Sequence, residues 1–524
     1  MTLTAGSAQG PRTEEGAPPR RTTVAPPGGS PGPRQRGGSQ TAGPGPGLLP
    51  RRQAEAARAA LRRRYWASVP ARLRLLRAAT VLLTAALAVL LLVAGLSALG
   101  TWSSVADRDA PRTTSAADLD LALNDMDAQA ANILLSNGDA GKGRLRTPYT
   151  KAVGFYGDAR KEIGHDLRTL AVAAQGSAAD EKTVESLTDD FAEYQELIGR
   201  ALENDGHRGG KPAALADYRR ATDLLRSQLL PAASRLVSSN DAAFDAEYAS
   251  ARSSLSGQLA AVLVLGLLLL AVLGVLQWYL ARSFRRILNP GALAATVCTL
   301  LAVILGGQML SASANHLRVA RHDAFDSVVA LSRARAIAYD ANADESRYLL
   351  DPQRREQYAA AFLAKSQQLY GLKGATLSTY DSELAATWQA YESDHQDLRF
   401  SGEFRRELDN ITFSGERAAA EKTVETYAVY QRDDRKVRAL MATGKEQEAV
   451  EFCMGWEPGT SNAHFGAWMG ALDKVAGINR AHFTSSVDEG RSAVSGLLPW
   501  AGGLLAVAAL LTLLGLRPRL AEFR

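Results

Sequence analysis

The chain has 524 residues, of which 46% are hydrophobic and 22% are charged, and its formal net charge is +5. Its two cysteines, Cys298 and Cys453, form no CxxC motif or Cys/His cluster, which excludes the common zinc and redox sites. The sequence has no HExxH, P-loop, GxGxxG or GxSxG motif. Adjacent acids such as Asp433 and Asp434 are expected on solvated helix faces. We therefore expect no enzyme activity, cofactor or metal.

The first 77 residues divide into two parts by composition. Residues 1–50 are rich in Pro and Gly, which predicts a disordered tail because too little apolar surface is available for burial. Residues 51–77 are rich in Ala and Arg with interleaved apolar residues, which predicts a basic amphipathic helix next to the membrane. Within this helix, the residues predicted to contact lipids or a cytoplasmic partner that receives the signal are Arg62, Arg63 and Arg64.

Four apolar stretches without charged residues follow along the chain. A helix needs about 20 apolar residues to cross the hydrocarbon core of a bilayer. Each stretch is long enough, so the sequence predicts four transmembrane helices. They cover residues 78–100, 257–280, 291–312 and 494–516.

Basic residues near the ends of these spans predict their orientation. Residues 1–77, 281–290 and 517–524 carry charges of +11, +3 and +2, so the two long remaining segments together carry about −11. By the positive-inside rule, both termini and the short link are cytoplasmic, and residues 101–256 and 313–493 lie outside. The excess of basic residues therefore lies in the segments next to the membrane. For this reason no nucleic-acid partner is expected.

The two long outer segments show helical periodicity. Within residues 215–255 and 465–487, apolar residues recur at alternating steps of three and four and lead into the next span. Asn240 and Asn479 lie on these two apolar seams, where an Asn either fixes the helix register or contacts a ligand. No alternating pattern indicates a sheet. The predicted fold is an all-α membrane protein with two extracytoplasmic up-and-down helical bundles.

The two halves of the chain contain related stretches in the same order. Glu181–Glu185 recurs as Glu421–Glu425, and Asp125 corresponds to Asp340. The spacing between related residues is 215 in the first helix and 236–240 afterwards. This pattern predicts a tandem repeat of a span–bundle–span unit, with an added helix of the second copy within residues 375–415.

Two features of the second outer segment are candidate contacts with a ligand or partner. Arg335, Asn342 and Glu345 are spaced by seven and three residues, which places them near one helix face. They form either a buried polar network or a partly solvated face, and the first copy has Asp127 at the place of Asn342. Trp456 stands beside a Pro-Gly turn, which indicates either a protein contact or packing within the bundle.

The seam ending in Asn479, the Gly444-x-x-x-Glu448-Ala449 helix break and the anchoring spans resemble the four-helix-bundle sensor domains of bacterial chemoreceptors and sensor kinases. The chain lacks their HAMP, kinase and signalling coiled-coil regions. Tandem units without an output domain, an Ala/Arg/Gly-rich composition and the stretch 339–348 resemble GlnX-type actinobacterial transmembrane sensor proteins. This resemblance implies a bacterial cell membrane, an extracytoplasmic glutamate/aspartate-binding lipoprotein as partner, and a cytoplasmic Ser/Thr kinase of the protein kinase G type.

The predicted function is a transmembrane sensor or relay that couples an extracytoplasmic ligand, or a loaded binding lipoprotein, to a cytoplasmic kinase. The alternatives are an envelope scaffold that does not switch and a direct small-molecule receptor of the chemoreceptor type. Helix continuity from bundle to span favours the relay, since a small shift outside would then move the inner ends. Membrane lipids and a second copy of the chain are the remaining expected partners.

Overall fold

The computed structural model describes residues 69–137, 145–175, 177–284 and 289–521. Within these ranges the chain is helical almost throughout, and its only β feature is an isolated bridge between Gly371 and Ser401. The predicted all-α class is therefore confirmed. The predicted tail and the residues Arg62–Arg64 lie outside the described ranges.

The first half of the described chain contains six α-helices. They are α1 (Val69–Ser104), α2 (Ala110–Ser136), α3 (Arg146–Ala173), α4 (Ala178–Gly206), α5 (Lys211–Leu224) and α6 (Leu230–Phe284). Two π-helical turns, Val105–Asp109 and Leu225–Leu229, join α1 to α2 and α5 to α6. Each joined pair therefore continues as one long helix.

The second half contains eight α-helices. They are α7 (Pro290–Arg318), α8 (Asp326–Leu350), α9 (Arg355–Leu369), α10 (Tyr380–Ser393), α11 (Glu403–Asp409), α12 (Glu416–Ala442), α13 (Glu446–Met454) and α14 (Ser461–Ala521). A third π-helical turn, Val319–Phe325, joins α7 to α8, and a short 3-10 turn, Pro352–Arg354, precedes α9. Within 375–415, where one added helix was predicted, the structure has two, α10 and α11.

Local side chains and glycines set several helix ends. The Asn289 side chain accepts hydrogen bonds from the backbone N–H groups of Gly291 (3.0 Å) and Ala292 (3.3 Å), which caps the start of α7. Gly415 and Gly444 have φ values of +81° and +74°, a region that favours glycine. These two glycines therefore allow the sharp changes of chain direction before and after α12.

The helices α1, α6, α7 and α14 are long and apolar enough to cross a membrane. Their apolar sections form a ring in which α1 and α7 each pack against both α6 and α14. The outward side chains of this ring are apolar, as expected for surface that faces lipid, with Leu82 70% and Val264 68% exposed. The predicted spans therefore lie in four helices that pack together, and the chain is an all-α membrane protein.

Three of the span glycines allow close helix approach. A Cβ at Gly95 would lie 2.6 Å from Leu498, and a Cβ at Gly266 would lie 2.5 Å from Val303. At Gly306 a Cβ would lie 2.5 Å from Leu91. Small residues at such positions let transmembrane backbones approach each other, so these three contacts fix how α1, α6, α7 and α14 pack.

Two helical bundles extend beyond the apolar ring. The first bundle consists of α2 to α5 and the adjoining part of α6, and the second consists of α8 to α13 and the adjoining part of α14. Each has its own apolar core, in which Tyr194 and Tyr218 are buried in the first bundle, and Tyr427 and Trp468 in the second. The helix α2 packs lengthwise against α8, so the two bundles lie side by side.

Candidate functional site

Six charged side chains meet between the two bundles, and we call them the interbundle ion cluster. The first bundle contributes Asp127 and Arg226, and the second contributes Asp340, Asp344, Arg347 and Lys365. Three of the six are acids and three are bases, so the cluster has no net charge when all are ionised. This balance allows charged groups to be buried between two protein surfaces.

Arg347 is at the centre of the cluster. Its guanidinium forms an ion pair with Asp127, and both side chains are completely buried (0% exposed). It also donates hydrogen bonds to Asp344 (2.6 Å), Asp340 (3.2 Å) and the Tyr218 hydroxyl (3.2 Å). Burial alone would lower the pKa of Arg347, but Asp127 and the other acids outweigh it and raise the pKa well above its usual value.

Asp127 of α2 is hydrogen-bonded from several directions within the first bundle. The Tyr194 hydroxyl donates to it at 2.8 Å, the Tyr218 hydroxyl at 3.2 Å and the Thr222 hydroxyl at 3.4 Å. Its carboxylate thus links the core of the first bundle to Arg347 of the second. Removing one partner of such a buried network costs about 3–5 kcal/mol, because a charge is left unpaired.

The outer part of the cluster reaches the helix that leads into the second span. Lys365 Nζ lies 2.6 Å from Asp340 and forms a second ion pair with Asp344. Arg226 also pairs with Asp344, and it lies within the π-helical turn Leu225–Leu229. Because π-helical turns are often found at functional sites, this turn is a candidate point at which the bundle interface acts on the helix.

A cavity of about 300 Å³ opens beside the cluster, between the bundles. Its wall includes Asp120 and Asn124 of α2, Arg226, Ile337 of α8 and Lys365 of α9. Burial, and secondly the nearby charge of Asp340, raise the pKa of Asp120 to about 7. The cavity therefore places an uncompensated acid next to a neutral ion cluster.

Asn342 and Glu345 come together as the sequence suggested, but Arg335 does not join them. Both contact the Tyr430 hydroxyl, which donates to Glu345 at 3.1 Å and accepts from Asn342 at 3.5 Å. Burial, followed by the charge of Asp434, raises the pKa of Glu345 to about 8. Arg335 instead forms an ion pair with Asp473 at 2.8 Å.

The expectation that Asp433 and Asp434 lie on a solvated face is wrong. Both are buried, since α12 packs against α13 on one side and α14 on another. Asp434 pairs with Arg438 at 2.7 Å, and Asp433 pairs with His464 at 2.6 Å. Arg438 lies one turn further along α12 itself, whereas His464 is supplied by α14.

Asn240 and Asn479 are both buried on their seams, but their partners differ. The Asn479 amide donates to Glu416 at 2.6 Å, and the other oxygen of Glu416 accepts from the backbone N–H groups of Thr412 and Phe413. The Asn240 amide donates to the backbone carbonyl of Arg112 at 3.2 Å. Asn479 therefore holds the segment before α12 through a buried carboxylate.

Trp456 makes a contact between the bundles. The centroid of its ring lies 5.7 Å from the centroid of the Phe155 ring and 4.3 Å from Lys151 Nζ. Both partners belong to α3 of the first bundle. Cys453, whose role the sequence left open, is buried in a small apolar cluster with Leu349 and Met454.

Sequence reasoning did not identify the ion cluster. It placed Asp127 opposite Asn342 in the repeat, and it noted the stretch 339–348 that contains Asp340, Asp344 and Arg347. No local pattern pairs Arg347 with Asp127, because 220 positions separate them. The only available signal was the density of charge on a helix that was otherwise expected to pack.

Residues 101–249 match the sequence family described as an actinobacterial sensor domain. The match covers the first bundle from the end of α1 into α6. It supports a sensor protein of actinobacteria and a role in sensing or signalling. Comparisons with curated proteins and with solved structures gave no match.

Proposed function

We propose that this membrane protein, whose first bundle matches an actinobacterial sensor domain, is a transmembrane relay of the GlnX type. In this proposal both bundles lie outside the cytoplasm and both termini inside. A ligand, or a glutamate/aspartate-binding lipoprotein in its loaded form, acts on the bundles. The signal is read inside by a Ser/Thr kinase of the protein kinase G type.

The observation that carries the proposal is the ion cluster's position on helices that continue into the spans. Asp127 lies on α2, which is continuous with α1, and Arg347 lies on α8, which is continuous with α7. Arg226 lies on the helix that continues into α6. A shift between the bundles would thus move the first three spans directly, because a packed interface changes between discrete arrangements.

The fourth span is linked to the second bundle in the same way. The helix α14 has 61 residues, from Ser461 in the bundle to Ala521 beyond the apolar section. At 1.5 Å per residue it is about 90 Å long. An uninterrupted helix of this length supports transmission from bundle to membrane, whereas a scaffold that does not switch has no need of it.

The cavity beside the ion cluster favours direct small-molecule reception as the second candidate function. It lies between the bundles and is lined by charged residues of both. In that case the chain would bind its ligand without a lipoprotein, and the relay through the spans would be the same.

The relay can be tested in cells by measuring phosphorylation of the kinase's substrates with and without external glutamate or aspartate. We expect Arg347→Met to abolish the response, because it leaves Asp127 and Asp344 without their shared partner. Arg354→Gln is the matched control, since the half-buried Arg354 also pairs across the bundles, but with the exposed carboxylate of Asp223. Its response should equal that of the unchanged chain.

A second variant acts at the other end of the relay and avoids loss of bundle stability. Replacing Arg62, Arg63 and Arg64 with Glu should remove the response and should also remove the kinase from pull-downs of native membranes, analysed by mass spectrometry. The lipoprotein should remain in the same pull-downs. A normal response in both the Arg347→Met chain and the triple Glu chain would refute the relay.

A further inference from the structure

We propose that the cavity beside the interbundle ion cluster binds a small molecule through a primary ammonium group, held by the Asp120 carboxylate and the Asn124 side-chain oxygen. This inference rests on the proposed sensing function and specifies the chemistry of its ligand. The cavity volume of about 300 Å³ is at the lower end of the range for small-molecule sites. The site is therefore suited to a molecule no larger than a small amino acid or amino alcohol.

Asn124 provides a buried acceptor without a partner. The residue is 5% exposed, and its Oδ1 atom has no hydrogen bond within the described part of the chain. Its amide nitrogen donates to the backbone carbonyl of Asp120 at 2.8 Å, which leaves the oxygen as the free group. An unpaired buried acceptor costs about 1–3 kcal/mol, so a donor that enters the cavity would recover this free energy.

Asp120 provides the negative charge. Its carboxylate forms no ion pair or hydrogen bond with any residue that the structure describes. Arg333 attracts it from beyond ion-pair distance, but the Arg333 guanidinium pairs with Asp241 at 3.5 Å. Asp120 is thus an acid in a cavity wall without a cation of its own.

The two bases in the cavity wall are already neutralised. Lys365 pairs with Asp340 and Asp344, and Arg226 pairs with the same two acids. An anionic guest would have to displace these ion pairs, whereas an ammonium group would meet an unpaired carboxylate. Burial and the charge of Asp340 raise the pKa of Asp120, so a bound ammonium group, which favours the ionised carboxylate, would lower that pKa.

The cavity also adjoins the helix through which a bound molecule could act on the second span. Arg226, Leu230 and Pro231 form part of its wall. They lie at the π-helical turn and at the start of α6, which continues into the membrane. A guest at Asp120 would therefore contact the helix that connects the bundle interface to the second span.

The proposal can be tested by titration calorimetry on the full chain in lipid nanodiscs with three probes. Ethanolamine carries an ammonium group without a carboxylate, alanine carries both groups, and propionate carries only the carboxylate. We expect ethanolamine and alanine to bind and propionate not to bind. Tighter binding of alanine would identify an amino acid as the ligand class, and tighter binding of ethanolamine would identify a simple amine.

Matched variants locate the site. Asp120→Asn should weaken amine binding about tenfold to hundredfold, the usual value of a charge-assisted contact. Asp118→Asn, the same change two residues earlier and outside the cavity wall, should bind like the unchanged chain. Ser234→Trp fills the cavity from an exposed position and should also abolish binding.

The site is refuted if propionate binds as well as ethanolamine, if no amine binds, or if Asp120→Asn and Ser234→Trp keep full affinity. These results concern binding to the purified chain, whereas the relay is judged by kinase substrate phosphorylation in cells. If amine binding fails, the relay can still be judged from substrate phosphorylation, and if the relay fails, amine binding can still be judged by calorimetry.

Discussion

Asn479 connects two separate segments through a single buried carboxylate. Its amide donates to one oxygen of Glu416, while the other oxygen accepts two backbone hydrogen bonds from Thr412 and Phe413. Thr412, Phe413 and the start of α12 are thereby fixed against α14. An Asn on an apolar seam would raise stability when replaced by Leu if it served register alone. In this structure its contact with Glu416 reverses that expectation.

We expect Asn479→Leu to lower the melting temperature of the full chain, at a cost of about 2 kcal/mol, because Glu416 loses its side-chain partner while fully buried. The measurement is thermal unfolding of the chain in detergent, followed by circular dichroism.

The control for this experiment is Asn240→Leu at the corresponding place in the first bundle. Asn240 donates only to a backbone carbonyl, so no charge is left unpaired and its loss should cost less. An increase in melting temperature for Asn479→Leu would show that the contact with Glu416 contributes nothing and that Asn479 acts through register.

At the scale of the helices, the boundary between bundles and spans is held by one aromatic residue. Trp102 of α1 is buried, and its indole N–H donates to the Ser313 hydroxyl of α7 at 3.0 Å. Its ring lies against Gly490 of α14, where a Cβ would be only 2.1 Å away. Three of the four span helices therefore meet at Trp102.

We expect Gly490→Ala to destabilise the chain by about 1–3 kcal/mol, because the added methyl group overlaps the Trp102 ring. Gly496→Ala is the control on the same helix, since a Cβ there meets nothing within 4 Å. The control should be neutral or slightly stabilising, as Ala favours helix over Gly. Equal melting temperatures for the two variants would contradict the close contact.

The π-helical turns are the second feature at this scale. Val105–Asp109 and Val319–Phe325 lie just beyond the first and third spans, at places related by the 215-residue spacing of the sequence repeat. In the second turn the buried Arg321 pairs with Asp241 at 2.8 Å and with Asp245 at 2.6 Å. These ion pairs connect α6 to the junction of α7 and α8 close to the membrane.

For the whole molecule, the orientation in the membrane is the prediction with the largest consequence. Both bundles should lie outside and the link between the second and third spans inside, as the charges of the flanking segments indicate. Single cysteines at Ser186 and Ser414, both exposed, should react with an impermeant maleimide on intact cells. A cysteine at Ser283, also exposed, should react only after the membrane is opened.

These labelling variants need a background in which Cys298 and Cys453 are replaced by Ser. Labelling of Ser283→Cys in sealed cells, together with protection of the other two sites, would reverse the orientation. The relay would then have its bundles on the wrong side for an external ligand.

The sequence by itself determined the four spans and the helical bundles. Both are local properties: the spans follow from apolar stretches of about 20 residues, and the bundles from periodic apolar seams. The sequence also brought Asn342 and Glu345 to one face, since a spacing of three residues fixes their direction on a helix.

Only the tertiary structure decided which charges meet. Asp127 and Arg347 are 220 positions apart, and Arg226 and Asp344 are 118 apart. From its local sequence alone, each of these four charged residues would be predicted to be solvated, as Asp433 and Asp434 were. Burial of these charges requires opposite charges and hydrogen-bond donors close by, and for Asp127 and Arg226 they are supplied by helices of the other bundle. That condition depends on how the two bundles pack together, and no single stretch of sequence contains it.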